Sequence, residues 1–154
     1  MTSSGSHRVI AYALLLCALA STLVPLLPAA EELPVRKHHL VHGLVLALSA
    51  AAGYLFARER QARQPHQELQ GEGWLYFTVL MPVLSMFLMW PTTYDWLEHH
   101  PLAHGGEHLC FVVLGFMATY SGERYMPGVG VMSGVATVLS AIVAAFGFGS
   151  GLSV

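Results

Sequence analysis

Charge is the scarcest property of this chain. Only 10% of its residues are Asp, Glu, Lys or Arg, against about 25% in an ordinary soluble domain. There is no run of Lys or Arg that could follow a phosphate backbone, and the net charge is −2. That excludes a nucleic-acid-binding surface. The two cysteines, Cys17 and Cys110, lack CxxC spacing and fall inside apolar runs. They read as small buried hydrophobes, with a ligand role open for Cys110 because it follows His108 by two positions. No P-loop and no Ser-His-Asp arrangement is present, and Gly128-Val129-Gly130 lacks the strand–turn–helix setting of a phosphate loop. Alternation of polar and apolar residues at period two is also missing, which removes a β-barrel as the membrane-spanning form.

What is abundant is apolar residue and histidine. Hydrophobic residues make up 55% of the 154 positions, and the mean hydropathy is +0.55. The composition predicts an all-α integral membrane bundle in one domain, residues 1–154. Five apolar segments have roughly the 17–25 residues that cross about 30 Å of hydrocarbon. They cover about 9–27, 38–56, 74–90, 101–120 and 129–152. The first resembles a secretory signal with a cleavage site after Ala30, but its apolar part is longer than a signal's core of about 7–15 residues. It is read as a retained span.

Between the spans, residues 58–72 form a polar loop, residues 91–99 a loop of acids, histidines and aromatics, and residues 122–128 a short turn. Arg8, Arg58, Arg60, Arg63 and Arg124 share one side, and only Arg36 and Lys37 fall on the other. Positive residues concentrate on the cytoplasmic side. The bias places the amino terminus in the cytoplasm, across what we take to be a prokaryotic inner membrane.

Alternating spans gather seven of the nine histidines at the other, outer face. His38, His39 and His42 open the second span; His99, His100, His104 and His108 open the fourth. Ionisable groups at membrane depth are costly and usually functional. His38 and His42 are four apart, and His100, His104 and His108 are successive steps of four. Residues at that spacing share a helix face, so a ladder of imidazoles reaches about 12 Å inward at His108. Two histidines at i,i+4 can chelate one ion. His104 and His108 are the leading ligands, with His42 the third and His39, His100, His38 and His99 as further candidates. Glu107 lies within the helix, where a carboxylate needs a partner. It, Asp95 and Glu98 are candidate oxygen ligands or hydrogen-bond partners of ligating imidazoles. Asp95 with His99 offers a second, shallower pair. Gly105-Gly106 weakens the ladder but admits close approach of a backbone or flat cofactor. Met81, Met86 and Met89 on the third span read as apolar filler. Trp74, Trp90, Trp96, Tyr76 and Tyr94 read as interfacial aromatics.

The stretch Glu98-His-His-Pro-Leu-Ala-His-Gly-Gly-Glu-His-Leu, with His38-His-Leu-Val-His42, resembles the histidine pattern of multispan membrane proteins that assist assembly of caa3-type cytochrome oxidases. The resemblance is confined to these two stretches, and that family has more spans. It implies copper delivery to a respiratory or oxidase complex.

Imidazole suits copper, zinc and iron, and the expectation is a membrane metal-binding protein with copper preferred. A proton relay or pH sensor on the imidazole ladder and a purely structural subunit stay open, as do two cofactor-based alternatives. One is a b-type haem electron carrier clamped by His42 with His104 or His108. The other is a metal-dependent membrane enzyme with an open coordination position.

Overall fold

The computed structural model describes residues 4–23, 35–63 and 73–148. All regular structure among them is helical: α1 Ser4–Ser21, α2 Val35–Arg63, α3 Gly73–Leu88, α4 Pro91–Glu98, α5 Pro101–Tyr125 and α6 Val129–Val143, which runs on into a π-helical turn, Ala144–Phe148. The position after Ala30, where a signal would be cleaved, lies outside the described residues, as do Glu31, Glu32 and His66.

The bundle is apolar outside and carries its polar groups within. Leu16, Tyr76, Val79, Phe87, Leu102 and Met132 are all more than half exposed. Ser49, Thr78, Ser85, Ser121, Ser133 and Thr137 are buried. In water this arrangement would be costly; in lipid it is the favoured one, because buried hydroxyls find interhelical partners and the outer surface meets acyl chains. Ser133 Oγ donates to the Thr78 carbonyl at 2.7 Å, and Ser85 and Ser140 hydroxyls pair at 2.8 Å. Cys17 and Cys110 are exposed on this outer surface rather than buried, which also takes Cys110 away from the histidines.

Three helices are long and apolar enough to cross a membrane: Lys37–Arg63, Pro101–Tyr125 and Val129–Phe146. Leu75–Leu88 and Pro91–Glu98 form a bent pair, 62° at the break, which would make a fourth; Ser6–Ser21 is a shorter apolar helix. The bend falls at Trp90-Pro91, where the residue before a proline is driven out of the helical region, and Trp90 is extended with φ −64° and ψ 137°. Residues 91–99, expected as a loop, are therefore mostly the short helix α4. Two further boundaries move. The Ala-Arg-Glu-Arg stretch continues α2 to Arg63, supported by the Arg63–Glu59 ion pair at 2.7 Å and i,i+4 spacing. The Ser-Gly-Glu-Arg stretch lies inside α5 and is buried.

Helix directions follow from which residues meet. Arg8 pairs with Glu59 and Tyr12 packs edge-on against Phe56, so α1 runs antiparallel to α2. His42 meets His108, Thr119 Oγ1 donates to the Ala50 carbonyl, and Gln61 donates to the Glu123 carbonyl. These pairs make α2 and α5 parallel. Small residues let this pair approach closely. A Cβ on Gly115 would come within 2.6 Å of the Leu46 carbonyl oxygen, and one on Gly53 would collide with the Phe116 carbonyl. Gly122 of α5 packs on Gly130 of α6, after a turn in which Gly128 takes φ +89°, and α6 also meets α2 where Gly43 faces Ala141. Val45, Leu46, Phe111, Val112 and Leu114 form the core between α2 and α5, with Met81 of α3 and Met89, just after it, buried against them.

Candidate metal centre

The parallel crossing of α2 and α5 sets their first turns side by side, and the histidines come with them. His38 and His42 share one face of α2; His104 and His108 share one face of α5. All four are buried, His42 and His108 fully, and their ligand atoms lie within 4.8 Å of one another. His104 Nε2 is 2.8 Å from His38 Nε2, His38 Nε2 is 3.3 Å from His108 Nε2, and His42 Nε2 is 2.9 Å from His108 Nε2.

Two hydrogen bonds, His104 with His38 and His42 with His108, can pair the four nitrogens, but they leave the 3.3 Å contact of His38 with His108 as two acceptors face to face. An imidazole nitrogen has one in-plane position, filled by a proton or a lone pair. His38 Nε2 and His108 Nε2 each face two other Nε2 atoms, so the three contacts cannot all be linear hydrogen bonds. A cation among the four nitrogens would take one lone pair from each. Each ring would then carry its proton on Nδ1. His42 Nδ1 and His108 Nδ1 are buried with no hydrogen-bond partner. The Ser21 backbone at the end of α1 lies beside His108 without completing that bond.

Glu107 adds a buried carboxyl group beside the four nitrogens. It is 3% exposed, both its carboxylate oxygens lack hydrogen bonds, and its Oε2 is 3.7 Å from His104 Nε2. A buried carboxylate without a partner costs several kcal/mol when ionised, and a bound cation nearby offsets it. The floor below is apolar: the Phe111 ring lies 4.6 Å from that of His42.

The other candidates stand outside the four-nitrogen group. His39 is buried but turned about a quarter-circle round α2 from His38, with its ring 4.5 Å from Tyr94. His100 precedes Pro101, which opens α5, and adopts φ −131°. The ladder therefore starts at His104, not at His100. His99 and His100 are exposed and use their Nδ1 atoms on the Asp95 and Trp96 backbone carbonyls, both at 2.7 Å. These bonds and the stacking of His100 on Trp96 close the end of α4. Asp95 meets His99 through its backbone carbonyl, so the shallower pair is a helix-end bond here. A Cβ added to Gly105 or Gly106 would meet nothing within 4 Å, so these glycines do not mark a close approach.

Tyr94 is a site residue that sequence reasoning missed. It is buried, not interfacial; it packs edge-on against His38 at 5.6 Å and its hydroxyl donates to Glu98 Oε1 at 2.7 Å. The i,i+4 spacing of Tyr94 and Glu98 was the available signal, hidden because the stretch read as loop. No family model matches the chain, and neither a curated protein nor a solved structure does.

Proposed function

We propose that the protein is an integral membrane metal-binding protein that holds one transition-metal ion between α2 and α5, on His38, His42, His104 and His108. The single observation carrying this reading is the convergence of four buried imidazole nitrogens, on two helices, within 4.8 Å of one another. Glu107, Tyr94 and His39 surround the set and orient or charge-balance it.

Copper is the preferred ion, with zinc the nearest rival. Metal–nitrogen bonds of about 2.0–2.1 Å put tetrahedral ligands about 3.3 Å apart; a square-planar set has edges of about 2.8 Å. The three separations of 2.8, 2.9 and 3.3 Å span both geometries. The resemblance to oxidase-assembly proteins supports copper. The arginine bias supports a centre on the outer face, and a role in copper handling or as an accessory of a respiratory or oxidising membrane complex. Four protein ligands fill a four-coordinate site, whereas catalytic centres keep a position open. That favours holding or passing an ion over activating water.

Haem fits this geometry poorly. Axial imidazoles stand on opposite sides of a macrocycle, about 4 Å apart through the iron, taking bond lengths like those above. His42 and His108 are closer than that, with His38 and His104 filling the surrounding space.

Elemental analysis of detergent-purified protein tests the proposal. The expected result is one copper per chain, lost in His42→Ala and in His108→Ala and kept in His99→Ala. A stoichiometric zinc content that copper supplementation does not displace would overturn the copper assignment. Unchanged metal in both inner variants, or a Soret band that accounts for the bound iron, would overturn the site.

A further inference from the structure

At the other end of the bundle the α1–α2–α5 junction opens into a cavity of about 570 Å³. Glu59, at its edge, lies 21 positions after His38 on α2, about 30 Å along the helix axis. That is one hydrocarbon thickness from the histidine centre, so the cavity sits at the opposite membrane interface.

Its rim is basic. Arg8, Arg60 and Arg63 face it against one carboxylate, Glu59. Glu59 is buried and pairs with Arg8 at 2.9 Å and Arg63 at 2.7 Å. It therefore holds two guanidinium groups in place while cancelling only one charge. Both arginine side chains remain about half exposed. Arg60 Nη1 is 3.5 Å from the Tyr120 hydroxyl oxygen, and no ion pair of Arg60 with a described carboxylate accompanies this contact. Below the rim the lining turns apolar, with Leu15, Phe56 and Phe116. The adjoining surface of α1 is apolar and open at Leu16 and Tyr12.

We propose that this cavity binds the headgroup of an anionic phospholipid, its phosphate among Arg8, Arg60 and Arg63 and an acyl chain running down past Phe56 and α1. Guanidinium forks match phosphate oxygens, and basic pockets between membrane helices take acidic headgroups. A free phosphate shares the headgroup's charge chemistry. It would make no use of the apolar floor, and that favours the lipid.

Native mass spectrometry of the full chain, released from detergent with equal phosphatidylglycerol and phosphatidylcholine, tests this. The wild type retains phosphatidylglycerol in preference to phosphatidylcholine. Arg60→Ala and Arg63→Ala each weaken that retention about fivefold, since each arginine near the surface contributes about that factor. Arg60→Lys keeps most of it. Arg60→Ala leaves both Glu59 ion pairs in place, so it isolates the headgroup contact from folding; unchanged metal content and Tm confirm this. Equal retention of the two lipids, or undiminished phosphatidylglycerol on Arg60→Ala, overturns the proposal. Displacement of the lipid by millimolar inorganic phosphate overturns it in favour of a free-anion site.

Discussion

Two of the four central histidines, His42 and His108, are fully enclosed by protein, and their loss would be felt most. His108 Nε2, like His38 Nε2, faces two of the other nitrogens, and His108 is the more deeply enclosed of the two. We expect metal occupancy to fall below about a tenth in His108→Ala, because changes to the partners of ligands alone already cost about 10–100-fold in affinity. Glu107→Gln keeps the shape of the carboxylate and removes its charge. It should weaken metal binding about 10–100-fold by the same reasoning, measured by competition with a chelator of known affinity. Tyr94→Phe deletes only the hydrogen bond to Glu98, worth about 1 kcal/mol. Its packing on His38 and His39 remains, so the Tm should fall slightly while metal stoichiometry holds. Spacing alone exposed His38, His42, His104 and His108 as facing pairs. It could not rank His38 above His39, because that choice depends on how α2 is rotated about its axis, and only packing against α5 sets the rotation.

The α2–α5 pair decides whether the histidines meet at all. Gly115 sits against the Leu46 backbone and the Ser49 hydroxyl. A Gly115→Leu change would push the helices apart, and we expect loss of both metal and fold, read as absent metal and aggregation during purification. Gly105 and Gly106 lie on the same helix in open space. Alanine at either should stabilise α5, by about 1 kcal/mol in line with helix propensity, and leave metal content unchanged. The contrast separates glycines that allow contact from glycines that do not. Apolar runs revealed α2, α5 and α6 but hid α4. Tyr94 to Glu98 is too polar to resemble a span, and its helix depends on Pro91 at the first turn and on the His99 and His100 bonds at its end. The far ends of α2 and α5 were also hidden, since Arg58, Glu59 and Glu123 look like loop until Glu59 is seen to pair with Arg8, and Arg58 with Glu123.

Across the whole molecule, a helix bundle with an apolar exterior places two polar sites at its opposite ends: imidazoles at one, arginines at the other. The histidine set ties two helices that are distant in sequence, and an ion bound only by the folded state stabilises it by mass action. With metal at about a hundred times its dissociation constant the gain is about 2.7 kcal/mol. Chelator treatment should therefore lower the Tm of the wild type and leave that of His108→Ala unmoved, in a thermal melt followed by helix content. The alternating helix directions, which bring the first turns of α2 and α5 to one end, were legible from hydropathy. The site's closure was not, because it rests on small residues at 53 and 115 that no apolar run distinguishes. X-ray absorption at the metal edge of the purified protein addresses the central claim directly. Four nitrogen neighbours at about 2.0 Å, with the multiple scattering of imidazole, are the predicted result. A shell containing sulfur, or one with fewer than three imidazoles, would contradict it.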